Sequence, residues 1–202
     1  ESSLISFLEE NPQNRYYLFG LGKYNSWKKV QNQLRTYYNG ITTSFISTLS
    51  PSPRLNLFLL KQLGVNIENP PERFPLELRK DMQTSIATHC TFDYFFPELI
   101  NIGYGSHFGL QSIVVSHANL VDYWAIGNVN IGRNVFVGAR SVIGPGVTIG
   151  DYAQINVNSV VYRDVNPGEV YSGNIVDKIS RRKIREVEVV DNIPKIKSRY
   201  LN

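Results

Sequence analysis

The feature that most restricts the fold of this sequence is a six-residue repeat in its C-terminal half. Branched aliphatic residues recur there without interruption at Ile131, Val137, Ile143, Ile149, Ile155 and Val161. Four positions after each stands a small or branched residue: Val135, Ser141, Val147, Ala153, Ser159 and Val165. A period of six matches neither the 3.6-residue turn of an α-helix nor simple two-residue alternation. It indicates short strands separated by turns, stacked as coils that each contact only their neighbours.

The repeat extends upstream with one interruption. Ile102, Phe108 and Val114 are again six residues apart, but Val114 and Ile131 are separated by 17 residues rather than 18. The register therefore slips once, and residues 116–128 are predicted to leave the regular coil.

The interrupted repeat resembles that of a known family. The stretch VFVGARSVIGPGVTIGDYAQINVNSVVYRDVNPGEVYSGN (135–174), preceded by VVSH (114–117), is similar to the hexapeptide-repeat acyltransferases, and among them to the maltose/galactoside/virginiamycin-type acetyltransferases. The resemblance covers roughly residues 86–176. It implies a mainly β fold, a left-handed parallel β-helix with three hexads per coil, assembled as a homotrimer that transfers an acyl group from coenzyme A.

On this basis the chain divides into three parts. We predict an N-terminal helical segment at 1–83, a β-helix acyltransferase domain at 84–176 and a basic C-terminal tail at 177–202. The tail is expected to be a solvated helix or strap, or to help bind the phosphates of coenzyme A.

Residues 1–83 predict two helices. Ser26 could cap the first, whose apolar side chains recur at steps of three and four at Trp27, Val30, Leu34, Tyr37, Tyr38, Ile41, Phe45 and Leu49. Ser52 is the predicted cap of the second, with Pro53 in its first turn and Gly64 as its stop. We expect the apolar faces to close the end of the coil or to pack on a neighbouring subunit, and docking on a membrane surface is the alternative.

His117 is the leading candidate for chemistry because it lies where the register breaks. Histidine titrates near neutral pH, so it can remove a proton from a hydroxyl or amine that attacks a thioester. The resemblance places the family's catalytic histidine at this position. It further implies an aromatic residue beside the site at Phe136 and an N–H that stabilises the oxyanion at Ala139.

The resemblance also implies a coenzyme A groove along Val157, Tyr162 and Arg163. Here the chain departs from the family pattern. It has Asn156-Val157-Asn158 where the family usually has Gly-Ala-Gly, and Tyr162-Arg163 where the family usually has Thr-Lys. The bulkier segment leaves less room for the pantetheine arm, while Arg163 keeps a positive charge for a phosphate.

An acceptor pocket is implied beside the base. Asp93 and Tyr94 match a pair that lines this pocket in the family, where a carboxylate would accept hydrogen bonds from acceptor hydroxyls. Tyr123 and Trp124, on the excursion that follows His117, could form its wall. The alternatives left open are a turn role for Asp93 and packing on the next subunit for the two aromatic residues.

Several other classes of function are disfavoured. His89 and His107 are one coil apart, but zinc-dependent carbonic anhydrases on this fold need two histidines five residues apart, so we expect no metal. Cys90 is adjacent to His89 and would point to the opposite face of a strand, which disfavours an acyl-cysteine mechanism. A net charge of +4 does not imply a nucleic-acid partner.

The sequence also disfavours membrane contact. No stretch approaches 18 uninterrupted apolar residues, and the first residues lack the basic and apolar regions of a secretory signal. We therefore expect a cytoplasmic location.

These observations predict an acetyl-CoA-dependent O-acetyltransferase. The expected acceptor is a small polar molecule such as a sugar, with His117 as general base. The alternatives are an N-acetyltransferase on an amino sugar or aminated metabolite, and a non-catalytic trimeric solenoid that binds a partner.

Overall fold

A computed structural model describes residues 32–50, 52–119 and 125–173 with their side chains. It describes Tyr123 and Trp124, and the strands Tyr16–Phe19, Lys183–Val190 and Ile193–Tyr200, by their backbone. The helices are α1 (Gln33–Thr48), α2 (Pro53–Leu63) and α3 (Leu76–Asp81), with a 3-10 turn at Pro97–Leu99.

The strands are short and follow one another closely along the chain. In order they are β1 (Tyr16–Phe19), β2 (Asn66–Ile67), β3 (Ser85–Ile86), β4 (Thr91–Phe92), β5 (Ile100–Ile102), β6 (His107–Phe108), β7 (Ile113–Val114), β8 (His117–Asn119), β9 (Tyr123–Ile126), β10 (Val129–Ile131), β11 (Phe136–Val137), β12 (Val142–Ile143), β13 (Thr148–Ile149), β14 (Gln154–Ile155), β15 (Val160–Val161), β16 (Val170–Tyr171), β17 (Lys183–Val190) and β18 (Ile193–Tyr200).

Three parallel sheets form the three faces of a β-helix. The first face has the order β13-β10-β5-β2, the second β16-β14-β11-β6-β3 and the third β15-β12-β7-β4. The chain visits them in rotation, so that Ile131 pairs with Ile149, Val137 with Ile155 and Ile143 with Val161, each one 18-residue coil further on. This confirms the predicted stack of three-hexad coils.

The repeat follows from burial. All six branched residues that lead the hexads are at most 3% exposed, and so are the six residues four positions later. The leaders of successive coils form one continuous apolar core inside the prism. Buried corner serines satisfy their hydroxyls within the coil, as when Ser141 Oγ donates to the carbonyl of Asn156 at 2.9 Å.

Two insertions leave the prism at the same corner, between the third and first faces. Val114 and Ile131 lead successive hexads but are 17 positions apart instead of six, and the extra residues form β8 and β9. These two strands pair antiparallel with each other, and β9 also pairs antiparallel with β1. Phe92 and Ile102 are ten positions apart instead of six, and the extra residues form the loop 94–99. The first insertion was predicted and the second was not. They lie on adjacent coils, since Phe92 pairs with Val114.

The second predicted helix is confirmed and caps the stack. Ser52 Oγ accepts a hydrogen bond from the N–H of Leu55 at 3.4 Å, and Gly64 ends α2 in the left-handed conformation at φ 106°. Leu60 and Leu63 are buried against the first coil and join the core.

The first helix differs from the prediction in the face that it buries. It begins at Gln33 and is capped by Asn32. The predicted cap Ser26, with Trp27 and Val30, lies outside the described residues. Its predicted apolar stripe faces outward: the exposed side chains are Leu34, Tyr37, Tyr38, Ile41, Phe45 and Leu49. The opposite face packs inward through Thr36, Asn39, Thr42, Thr43 and Ile46. The threonine hydroxyls donate to helix carbonyls one turn back, so this face can be buried without unpaired polar groups.

The boundaries of the β-helix also differ from the prediction. Its first strand is β2, which pairs parallel with β5, so coiling starts near residue 66 rather than 84. The N-terminal segment contains the strand β1 besides its helices, and in the C-terminal tail β17 and β18 form an antiparallel hairpin. Among the described residues no helix is long and apolar enough to cross a membrane.

The close stacking predicts a test at Gly138. A Cβ there would lie 2.5 Å from the backbone nitrogen of Val157 in the next coil, so Gly138→Ala should lower the free energy of unfolding by about 2–3 kcal/mol. In the control Gly168→Ala, a Cβ meets nothing within 4 Å and only the φ of 71° is strained, at a cost of about 1 kcal/mol. Denaturant unfolding measures both, and equal losses would contradict the stacking argument.

Candidate active site

The buried carboxylate of Asp93 organises the corner where the two insertions meet. Its Oδ1 accepts the N–H groups of Phe95 and Phe96 at 2.7 and 3.2 Å. Its Oδ2 accepts those of Ser116 and His117 at 2.9 and 3.0 Å, and lies 3.0 Å from Ser116 Oγ. One side chain therefore ties loop 94–99 to the start of β8.

The same Oδ2 lies 2.5 Å from Nδ1 of His117. The Asp93 side chain is fully buried and that of His117 is 16% exposed. Burial opposes ionisation of the carboxyl, but the hydrogen bond and charge of His117 and the N–H donors outweigh it, and the pKa of Asp93 is lowered. An ionised Asp93 requires Nδ1 to carry a proton, so Nε2 is the nitrogen that can accept one.

Aromatic rings enclose this imidazole. The rings of Phe95 and Phe96 meet it edge to face, with centroids 4.8 and 5.9 Å away, and Tyr94 packs against Phe95 at 4.4 Å. Burial, and then the charge of Asp93, raises the pKa of Tyr94, so its hydroxyl remains protonated at neutral pH. The imidazole therefore has an apolar surround, with a fixed charge on its Nδ1 side.

The structure places Asp93 differently from its predicted contact with the acceptor. Both of its oxygens face backbone N–H groups and His117, and the residue is 2% exposed. Tyr94 is 40% exposed and stays available to a ligand. The geometry thus suits Asp93 to orienting the imidazole.

Tyr162 and Arg163 share the corner of His117, two coils further along the stack. The N–H of Val115 donates to the carbonyl of Ile143 at 3.0 Å, and that of Gly144 to the carbonyl of Val161 at 2.9 Å. At about 4.8 Å per coil, Tyr162 lies about 10 Å along the axis from the His117 coil. The Arg163 guanidinium stacks on the ring of Tyr171 at 5.2 Å and is exposed.

The remaining predicted residues do not meet His117 within one chain. Ala139 and Val157 stack at the corner between the second and third faces, where the N–H of Asn158 donates to the carbonyl of Ala139 at 2.9 Å. Phe136 lies on the outside of the second face and is 47% exposed. The third face separates this corner from the corner of His117. Five residues span that face, so at about 3.3 Å per residue the two corners are about 16 Å apart.

Tyr123 and Trp124 lie on β9 beside the histidine strand. Their backbone pairs with β1, and Trp124 also pairs with Asn119. Only the backbone of these two residues is described, so their predicted place in the acceptor pocket stays a prediction.

Sequence reasoning missed Ser116, Phe95 and Phe96 as parts of this site. The sequence does indicate a second insertion near these residues, because the step from Phe92 to Ile102 is ten residues instead of six. Nothing in the sequence shows that both departures use one corner of adjacent coils.

A metal site and a cysteine nucleophile were the other candidates, and the residues with described side chains support neither. No group of three His, Cys, Asp or Glu side chains there is placed to hold a metal ion. Cys90 is 1% exposed, and burial raises the pKa of its thiol, which disfavours a thiolate nucleophile.

Comparison with known proteins decides the family. A model of the bacterial transferase hexapeptide (six repeats) matches residues 128–163. SAS0727 of Staphylococcus aureus (strain MSSA476), an assigned acetyltransferase, is 35% identical over 150 residues, which cover 73% of this chain and 84% of the relative. The chain belongs to the hexapeptide-repeat acetyltransferases.

A further relative agrees with this membership, and a solved structure agrees with the fold. YvoF of Bacillus subtilis (strain 168), also an assigned acetyltransferase, is 36% identical over 99 residues, which cover 49% of this chain but only 58% of YvoF. The hexapeptide-repeat acetyltransferase VCA0836 of Vibrio cholerae O1 biovar eltor, solved with acetyl coenzyme A, has a TM-score of 0.52 and 23% identity, and the match covers 70% of this chain and 83% of that one. The fold is the left-handed parallel β-helix that the family resemblance implies.

The Asp93 network predicts a stability effect that depends on pH. In Asp93→Asn the amide NH2 faces backbone N–H donors whichever way it turns, so the free energy of unfolding should fall by about 3–5 kcal/mol at pH 7. Because the pKa of Asp93 is lower in the folded chain, its stabilisation is present above the ordinary value of 3.8 and is lost as the pH falls through the folded pKa.

Unfolding of both proteins between pH 7 and pH 3 measures this effect, and the difference between them should shrink below about pH 4. Asp164→Asn is the matched control, because this exposed carboxylate accepts one described backbone bond, from Thr148 at 2.8 Å, that an amide oxygen also accepts. A difference between wild type and Asp93→Asn that stays constant across this range would contradict the ionised carboxylate.

Proposed function

We propose that this chain transfers an acetyl group from acetyl-CoA to a hydroxyl of a small polar acceptor such as a sugar, with His117 as general base. The observation that carries the proposal is the contact between Nδ1 of His117 and the buried Asp93 carboxylate. It fixes the tautomer in which Nε2 accepts a proton. An acetyl-CoA donor also suits the cytoplasmic location predicted from the sequence.

The reaction needs one proton to move through His117. The acceptor oxygen attacks the thioester carbonyl carbon while Nε2 of His117 takes the hydroxyl proton. The tetrahedral intermediate collapses, the C–S bond breaks, and the imidazolium returns its proton to the leaving thiolate. Asp93 is a positioning residue that keeps Nδ1 protonated and stabilises the transient imidazolium.

The oxyanion of the intermediate needs a prearranged donor. Ala139 suits this role, since no described residue accepts a hydrogen bond from its backbone N–H. Within one chain, however, Ala139 and His117 lie at opposite edges of the third face. A homotrimer completes the site by setting the His117 corner of one subunit against the Ala139 and Val157 corner of its neighbour.

Removing the base should slow turnover by orders of magnitude. We expect His117→Gln to lower kcat/KM by about 10²- to 10⁴-fold, because the amide cannot take the acceptor proton as the imidazole does. Release of free thiol from acetyl-CoA with a panel of sugars measures this, and stability of the product to mild alkali separates an amide from an ester. The control is His107→Gln, an exposed histidine bonded to Ser85, which should keep full activity. An assembled His117→Gln protein with the wild-type rate would overturn the proposal.

Arg163 should bind the nucleotide end of the donor. It is an exposed cation at the corner of His117, two coils along the stack. If it binds a phosphate of the donor, Arg163→Ala should raise KM for acetyl-CoA about tenfold and leave KM for the acceptor unchanged. Arg133→Ala is the control, since Arg133 is paired with Glu68 at 2.8 Å. Steady-state kinetics with each substrate varied tests this, and an unchanged KM for acetyl-CoA would remove Arg163 from the cofactor groove.

A further inference from the structure

An apolar groove runs along the outward face of α1 towards His117. It has a volume of about 630 Å³ and is lined by Thr36, Tyr37, Gly40, Ile41, Ser44, Phe45, Thr48, Leu49, Tyr94 and Phe95. None of these residues carries a charge. Two of its hydroxyls already donate to helix carbonyls, that of Thr36 to Asn32 and that of Thr48 to Ser44. The groove therefore offers mainly hydrocarbon and aromatic surface to a ligand.

This groove is continuous with the surround of the base. Phe95 forms part of its wall and also meets the His117 imidazole, with ring centroids 4.8 Å apart. The amide of Asn39 donates to the carbonyl of Tyr94 at 3.0 Å, which fixes α1 to the loop that carries both aromatic rings. A molecule in the groove would thus lie one aromatic ring away from the imidazole.

Gly40 keeps the groove open in the middle of α1. Glycine is disfavoured inside a helix. Among the described residues outside α1, a Cβ at this position would meet only Cδ2 of Tyr94, at an ordinary 3.9 Å. Alanine would fit and would favour the helix. The glycine is therefore not required by packing, and its effect is to leave space beside Tyr94.

From these observations we infer that the acceptor carries an apolar group, alkyl or aryl, beside its reacting hydroxyl, and that the α1 groove binds this group. The inference rests on the proposed function and names the class of its acceptor. A bare sugar would leave the groove empty, and a phosphorylated one would find no cation among its lining residues. Burial of an alkyl chain instead gains affinity with each methylene.

The test uses n-alkyl β-galactosides from methyl to pentyl, below their micellar concentrations. Binding is measured by calorimetry and turnover by thiol release from acetyl-CoA. Kd and KM should fall along the series by about tenfold or more, since each fully buried methylene contributes up to about fourfold. The full-length protein is used throughout.

Three variants locate the effect. Ile41→Asp places a charge in the groove at a side chain that is 73% exposed, and it should abolish the dependence on chain length. Leu34→Asp is the matched control on the same helix, 80% exposed and outside the groove, and it should keep that dependence. Gly40→Leu fills the groove and should remove the gain for the longer chains.

The outcomes separate the two proposals. Turnover of methyl galactoside or other polar acceptors with a Kd that does not change along the series would leave the proposed function standing and overturn the groove. The same would follow if Leu34→Asp flattened the series as strongly as Ile41→Asp, or if a second copy of the chain covered the groove. A protein that binds acetyl-CoA but releases no thiol with any acceptor would overturn the proposed function, and the acceptor class with it.

Discussion

The stacking of coils 18 residues long is the constraint on which the rest of the structure depends. Each hexad leader must point into the prism and meet the leader of the coil below, so residues cannot be added within a face without turning apolar side chains outward. Extra residues can leave only at a corner. Loop 94–99 and the hairpin of β8 and β9 use the same corner on adjacent coils, and this coincidence brings Asp93 beside His117.

The contact between Asp93 and His117 serves structure and chemistry together. A fully buried carboxylate is costly to desolvate, and here the cost is offset by four backbone N–H groups from both insertions. The same bonds set the position of loop 94–99 and the orientation of the imidazole. A group that holds the imidazole in this way cannot be exchanged without loosening the corner, so the stability of this corner and the activity proposed for it are coupled.

The sequence predicts those parts of the molecule that local rules determine. The hexad leaders, the caps of α2 at Ser52 and Gly64, and the break before His117 all follow from spacing and propensity. The buried face of α1 does not follow from them. Its threonine hydroxyls can be buried because they donate to carbonyls of their own helix, and Asn39 can be buried because it donates to the carbonyl of Tyr94. The turn role that the sequence left open for Asp93 is present in its bonds to Phe95 and Phe96. Its contact with His117 escaped prediction, because that contact joins two loops that are distant in sequence and meet only in the folded coil.

Helix α1, which turns its apolar face outward, connects the local rules of the sequence with the contacts between distant segments. A helix that buries threonine and asparagine while it exposes Tyr37, Ile41 and Leu49 loses hydrophobic stabilisation that the opposite orientation would provide. The orientation persists because the inner face fits the coil and is fully bonded, and it leaves the apolar face beside the aromatic loop at the base. In the proposed reaction the repeating coil fixes where the proton is taken, while a segment outside the repeat selects the molecule that presents it. We therefore expect changes on the outer face of α1 to alter acceptor choice without disturbing the coil or the Asp93 contact.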